Sequence, residues 1–239
     1  MVVSADYQIV VSHEPWMNPR TTTAPNGAIM ERQEAANVNL YQLPYSEIRR
    51  YDCGLRADPG FPEQVSMPAH KPLLREVFAA VEAHAQRLGV RPVGYSVEVK
   101  SSPAGDGVYH PTPAFFMQLV LADLRDAGVM ARTTLLSFDA RILLEAHGAC
   151  PGLATCLLLE KEQPWFASIR QLGFLPTVLG PDFTTVTPEA VMALRSTYPG
   201  LALVPWTVNE THDMALLRRL EVDGITTDFP DRLIRMLQL

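Results

Sequence analysis

From residue 94 to its end the chain alternates short apolar runs with amphipathic stretches, and nothing else in the sequence narrows the fold as much. Tyr95-Ser96-Val97-Glu98-Val99-Lys100 changes polarity with period two and predicts a strand. Pro113 to Ala127 follows with Phe116, Leu119, Val120 and Leu124 at helical spacing, and Gly128 stops it. Thr133 to Ser137 predicts the next strand, and Asp139 can cap a helix that carries Ile142, Leu143 and Ala146 and ends at Gly148. Leu153 to Leu159 pairs with a helix over Trp165 to Leu172, ended by Gly173. Thr177 to Leu179 precedes a helix opened by Thr187-Pro188-Glu189, a cap, a first-turn proline and an early acid. Leu201 to Val204 with a helix over Asn209 to Leu220, then Gly224-Ile225-Thr226-Thr227 with Pro230 to Leu237, complete six strand–helix pairs.

Such alternation implies right-handed crossovers and a parallel sheet. Six units fit either a doubly wound sheet or most of an eight-fold barrel. No Gly-x-Gly-x-x-Gly follows a strand, which counts against a dinucleotide site, and no Gly-x-Ser-x-Gly supplies a nucleophile elbow. The first third reads differently. Tyr7 to Ser12 predicts a strand. Residues 14–69 are rich in Pro, Gly, Asn and charge, with one short helix expected at Tyr45 to Tyr51. That is too long for a plain loop, so a small irregular insertion is expected over one face of a single domain spanning residues 1–239. An amphipathic helix is expected from His70 to Leu88 through Leu74, Phe78, Val81 and Ala85.

Composition excludes several classes. With 47% hydrophobic and 19% charged residues among 239, the chain can bury one large core and is not disordered. No apolar run approaches the ~18 residues of a bilayer helix, so no membrane span is expected. The net charge of −6 gives no basic face for nucleic acid, although a local field can still receive an anionic small molecule. Cys53, Cys150 and Cys156 form no Cys-x-x-Cys pair and are expected to be reduced core thiols. No leader pattern opens at Met1, and a cytoplasmic location is expected.

Ligands of parallel α/β folds bind at the carboxyl ends of strands. The residues to weigh there are His13, the Glu98 and Lys100 pair, Asp139, Trp206 with Asn209, and Asp228. An acid and a base inside an apolar barrel are costly unless paired or bound to metal. Glu98 and Lys100 can pair with each other, or Glu98 can hold a hard divalent cation while Lys100 meets an anionic oxygen. His13 is a loop histidine or an acid–base group, and Trp206 is core packing or a wall against a substrate's carbon skeleton. His110, in the loop after the Glu98 strand, is a further candidate for substrate contact. His84 and His212 read as surface, His70 as the start of its helix, and His147 as a last-turn complement to the helix dipole.

Six segments in this order carry a resemblance: Val10-Val11-Ser12-His13-Glu14-Pro15, Tyr51-Asp52-Cys53-Gly54, Val97-Glu98-Val99-Lys100, Leu136-Ser137-Phe138-Asp139, Pro205-Trp206-Thr207-Val208-Asn209, and Asp223-Gly224-Ile225-Thr226-Thr227-Asp228-Phe229-Pro230. Together they resemble the glycerophosphodiester phosphodiesterase family over almost the whole chain. The resemblance implies a TIM (β/α)8-type barrel with an early insertion, which suits residues 14–69. It also implies hydrolysis of small-molecule glycerophosphodiesters to an alcohol and glycerol 3-phosphate. Two histidines serve as general acid and base in that family, with a divalent metal, Mg or Ca, held mainly by carboxylates. By position, His13 matches the histidine that protonates the leaving alcohol and Glu98 a metal carboxylate. Lys100 matches a phosphate contact and Trp206 an aromatic near the glycerol end.

The departures shape the expectation as well. The family's opening His-Arg, Glu-Asn-Thr and Glu-x-Asp segments are not found, and Met1-Val2-Val3-Ser4-Ala5-Asp6 matches the stretch after Glu-x-Asp. Leu136 stands where many members carry Gln. The expectation is therefore a barrel missing its first β/α unit, with weak or absent metal binding and self-association through open edges. One rival is a non-catalytic remnant that binds phosphodiesters or a partner protein. Another is a different barrel enzyme gripping a sugar phosphate, for which Asp223-Gly224-Ile225 makes a poor phosphate loop.

Overall fold

The computed structural model describes residues 1–238. The chain forms two compact units, Met1–Thr133 and Thr134–Leu239.

The first unit opens with a small antiparallel ribbon, Val2–Val3 (β1) and Ile9–Val10 (β2), in which Val2 faces Val10 and Val3 faces Ile9. The strand expected over Tyr7 to Ser12 is thus only two residues long. Tyr7 belongs to the turn, with a left-handed φ of 58°, and Val11 N already donates to Pro72 O at 2.8 Å. The insertion is more ordered than its composition suggests. It contains Arg32–Asn37 (α1), a 3-10 turn over Leu40–Gln42, and Tyr45–Ile48 (α2). Helix α1 has no signal in the sequence, because Ala35 is its only buried residue and no apolar stripe results. Met17, Met30, Ala35, Leu40, Tyr45 and Ile48 pack with Val2, Val10 and Leu73, so the insertion closes a core around the ribbon.

Leu74–Leu88 (α3) starts four residues later than the expected His70. Pro72 keeps Lys71 out of the helical region, and Glu76 Oε2 accepts from Leu73 N at 2.9 Å, which fixes the first turn. Gly89, with φ 63°, ends it. Tyr95–Glu98 (β3) and Pro113–Asp126 (α4) follow.

Thr133–Ser137 (β4) leads into the second unit. Ala140–Ala149 (α5), Ala154–Leu159 (β5), Trp165–Leu172 (α6), Val178–Pro181 (β6), Pro188–Thr197 (α7), Ala202–Leu203 (β7), Thr211–Arg219 (α8) and Pro230–Leu237 (α9) come next. The strands β4, β5, β6 and β7 are parallel and lie side by side in sequence order, with Leu136 opposite Cys156, Leu157 opposite Leu179 and Leu179 opposite Leu203. Sequence neighbours are therefore spatial neighbours, as in a singly wound α/β barrel and unlike a doubly wound sheet with its reversal of strand order. Leu135, Ile142, Leu143, Leu157, Ile169, Leu179, Leu194 and Leu203 are buried between strands and helices. Each contributes about 1.5–3 kcal/mol by leaving water.

The sixth expected strand, Gly224 to Thr227, is not regular. Asp223 N donates to Leu203 O at 2.9 Å, Thr226 N to Pro205 O at 3.0 Å, and Val208 N to Thr226 O at 2.9 Å. The segment thus runs beside the continuation of β7, but Pro205 has no N–H to give and the ladder is interrupted there. Cys156 is a buried thiol as expected, whereas Cys53 and Cys150 are only half-buried, and all three are thiols outside any disulfide. Among the described residues no helix is long and apolar enough to cross a membrane.

Candidate active site

Three of the four residues matched to the family pattern meet in the first unit. His13 follows the β2 strand, Glu98 ends β3, and Lys100 lies two residues beyond it. Lys100 Nζ is 2.7 Å from Glu98 Oε1 and 3.1 Å from His13 Nε2. Of the two readings of the acid–base pair the structure shows the first, Glu98 and Lys100 paired with each other, and the pair touches the histidine. The backbone here is held by Met1, whose amino group donates to Glu98 O and whose carbonyl accepts from Lys100 N at 3.1 Å.

The His13 ring is 75% exposed, so one edge remains open to a ligand. Its Nδ1 lies 2.9 Å from Glu14 Oε1. That hydrogen bond holds the Glu14 carboxyl below the ordinary carboxylate range, outweighing the upward push of its partial burial. The backbone beneath Glu14 is also tied: Ser12 Oγ donates to Glu14 O at 2.7 Å, and Lys71 Nζ donates to Ser12 Oγ at 2.8 Å. Glu14, Ser12 and Lys71 escaped the sequence reading. Glu14 had a signal, its place beside His13; Lys71 lies 59 residues from Ser12, and nothing local announces that contact.

Glu98 Oε1 is shielded from solvent and, beyond its ion-pair contact with Lys100, has no hydrogen-bond partner among the described residues. That is one donor suited to a hard cation. A magnesium or calcium ion takes about six or more oxygens. Among the described residues no three His, Cys, Asp or Glu side chains gather as a metal-holding group. The side chains around Glu98 therefore do not by themselves fit a divalent ion.

His110, expected as a candidate for substrate contact, is held by the backbone around it. It is 3% exposed, Nε2 accepts from Ser102 N at 3.1 Å, and Nδ1 lies 2.9 Å from Pro111 O. Both ring nitrogens are spent on backbone, and the ring pins the loop after β3. Gly105 gives it room, since a Cβ there would lie 2.4 Å from His110 Nε2.

Trp206 belongs to the second unit. Its Nε1 donates to Gly180 O at 2.8 Å, and its ring meets Phe138 edge-on at 5.2 Å. It is half-buried, leaving part of the indole uncovered. Asn209 and Asp228 are bound to each other, with Asn209 Nδ2 donating to Asp228 Oδ2 at 2.9 Å and Asp228 N donating to Asn209 Oδ1 at 3.0 Å. Asp139 caps α5 through Arg141 N at 3.1 Å, and the Arg141 guanidinium meets it at 2.7 Å.

A profile of the glycerophosphoryl diester phosphodiesterase family matches residues 1–232. The glycerophosphodiester phosphodiesterase of Bacillus subtilis (strain 168) is 28% identical over 192 residues, 78% of this chain and 61% of that protein. The chain thus spans less than two thirds of that relative's length. The crystal structure of a Silicibacter pomeroyi DSS-3 protein assigned as a glycerophosphoryl diester phosphodiesterase superposes with a TM-score of 0.84 at 29% identity, covering 99% of this chain and 81% of that one. An Oleispira antarctica phosphodiesterase, solved with the product sn-glycerol-3-phosphate, shares the fold with a TM-score of 0.72 at 17% identity, covering 99% of this chain and 82% of that one. The fold is α/β with a parallel sheet, of the TIM-barrel-like kind these proteins share. The chain belongs to the glycerophosphoryl diester phosphodiesterase family.

Proposed function

We propose that this protein hydrolyses glycerophosphodiesters to an alcohol and glycerol 3-phosphate. The observation that carries the reading is the contact of Lys100 Nζ with His13 Nε2 at 3.1 Å, in a chain whose family and relatives bear the name of that reaction. The product seen with the Oleispira antarctica phosphodiesterase supports the same substrate class.

In the reaction a water oxygen forms a new bond to phosphorus and the bond to the departing alcohol breaks. The electron pair leaves with the alcohol oxygen, which takes a proton from His13 Nε2. The attacking water's proton passes to a general base, the role the family resemblance gives to a second histidine. Lys100 places a positive charge beside the transferring group, where negative charge on the phosphoryl oxygens must be balanced. It also keeps the Nε2 edge of His13 directed toward that group. Trp206 presents a partly open ring suited to the glycerol carbons. The family generally uses a divalent metal, and the resemblance gives Glu98 the role of one ligand, although the side chains around it do not by themselves complete such a site.

The test is release of glycerol 3-phosphate from glycerophosphocholine, measured with and without added Mg or Ca and compared with a His13→Ala variant. Metal-stimulated release that the variant loses supports the reading. No release under any condition, with the chain folded, removes it. The engagement of Glu98 by Lys100 favours one alternative, a protein that binds phosphodiesters without turning them over. Calorimetric binding of glycerophosphocholine without product would establish that alternative.

A further inference from the structure

We propose that Glu14 is the positioning residue of His13, holding the imidazole in the Nδ1–H tautomer so that Nε2 faces the reacting group. The inference rests on the reading of His13 as the general acid and adds the residue that prepares it. A general acid must offer its proton from one defined nitrogen, and a histidine's two nitrogens are set by what each is bonded to. In this site the two ends of the ring see opposite partners. Glu14 Oε1 lies 2.9 Å from Nδ1 and, as a carboxylate, can only accept, so Nδ1 must carry the hydrogen. Lys100 Nζ lies 3.1 Å from Nε2 and, as an ammonium, can only donate, so in the resting site Nε2 carries the lone pair. The two contacts favour the same tautomer, and neither alone fixes it.

The backbone that carries Glu14 is tied in place. Its backbone carbonyl accepts from Ser12 Oγ at 2.7 Å, and that hydroxyl accepts from Lys71 Nζ at 2.8 Å. Burial differs along the pair: the His13 side chain is 75% exposed, Glu14's only 31%. The carboxylate is thus the more sheltered partner and the imidazole the one that meets a ligand. When His13 takes a proton from solvent at Nε2, which requires Lys100 Nζ to turn from that nitrogen toward the phosphate, both nitrogens become donors and the Glu14 charge stabilises the imidazolium. When that proton leaves with the alcohol, Nδ1 keeps its hydrogen and Glu14 keeps its charge.

The experiment reads the tautomer directly. Long-range proton–nitrogen correlation spectra of the His13 ring, taken on the full chain at alkaline pH where the imidazole is neutral, distinguish Nδ1–H from Nε2–H. The wild type should show Nδ1–H, Glu14→Ala should lose that preference, and Glu14→Gln, whose amide oxygen can still accept, should retain part of it. Turnover of glycerophosphocholine should fall about 10–100-fold in kcat for Glu14→Ala with little change in KM, and Glu14→Gln should recover part of the loss. An unchanged tautomer in both variants overturns the proposal, as does unchanged kcat beside an altered tautomer. If the wild type has no turnover while the tautomer shifts as stated, Glu14 still positions His13 and the hydrolase reading fails instead. Amide spectra confirm that each variant is folded.

Discussion

His13 Nε2 and Lys100 Nζ, 87 residues apart in sequence, lie 3.1 Å from each other, and the same ammonium lies 2.7 Å from Glu98 Oε1. One cation therefore bridges the two groups to which the family pattern assigns the proton and the metal. A bare ammonium at the end of a strand would be costly to hold near an apolar core, and the carboxylate two residues earlier offsets that cost. The histidine then gains a fixed neighbour at no expense to the core.

Lys100→Met should lower kcat/KM for glycerophosphocholine by about 10²–10³-fold, the usual loss when one donor to developing charge is removed. Lys100→Arg should recover part of it, since charge survives while reach changes. The Lys100 and Glu98 side chains are only 21% and 26% exposed and Glu98 Oε1 is shielded, so removing the ammonium leaves that oxygen uncompensated and stability should fall as well, by about 1–3 kcal/mol. Steady-state kinetics beside urea denaturation separates the two effects. A loss of activity matched by an equal loss of folded protein would refute the assigned role.

His13→Ala should depend on the leaving group. An alkoxide needs a proton in the transition state, so glycerophosphocholine hydrolysis should drop about 10²–10⁴-fold. Nitrophenolate leaves without one, and bis(4-nitrophenyl) phosphate should be hydrolysed at close to the wild-type rate. Equal losses for both substrates would contradict the acid role of His13.

How far the sequence reveals this molecule depends on whether an interaction is local. Strands β4 and β5 and helices α6 and α9 follow from hydrophobic period and cap residues within a few positions, and their bounds agree with expectation to a residue or better. Helix α1 has a single buried alanine, so its apolar signal never rises above the loop around it. The irregular course of Gly224 to Thr227 depends on Pro205, about twenty residues upstream on the neighbouring strand. At the site, Glu98 and Lys100 were legible because they sit two apart on one strand. His13 was placed by motif, whereas its contact with Lys100 and the Lys71–Ser12 bond join distant segments that no local pattern predicts.

His110→Phe should cost stability and not binding. The ring is buried, its Nε2 accepts from Ser102 N at 3.1 Å, and a phenyl leaves that donor unsatisfied, worth about 1–3 kcal/mol. Gly105→Ala should act at the same place, because its Cβ would press on His110 Nε2 and overpacking costs about 1–3 kcal/mol. Urea denaturation of both variants, with KM measured on the folded protein, checks this. A large rise in KM without a shift in the unfolding midpoint would return His110 to the substrate site.

Asp52→Asn should loosen the insertion in a pH-dependent way. Asp52 Oδ1 accepts from Gly54 N at 3.0 Å and Leu55 N at 2.8 Å, and Oδ2 accepts from Ala69 N at 2.9 Å, so one carboxylate ties both ends of the segment between them. Burial pushes this carboxyl up, but the amide hydrogen bonds from Leu55, Ala69 and Gly54 outweigh it, and it stays below the ordinary value. The unfolded chain, with its aspartate near pKa ~3.9, therefore binds the proton more readily than the folded one. Stability from this carboxylate is fully present above about pH 4 and is lost as pH falls through the lower folded value. Hydrogen exchange at the Gly54, Leu55 and Ala69 amides should show protection that declines on acidification in the wild type. In Asp52→Asn the Ala69 amide has lost its acceptor, because the amide nitrogen can only donate, and protection there should be low at every pH. Protection of Ala69 that is equal in the two proteins at neutral pH, or that rises on acidification in the wild type, would show that the segment is held by something other than this carboxylate.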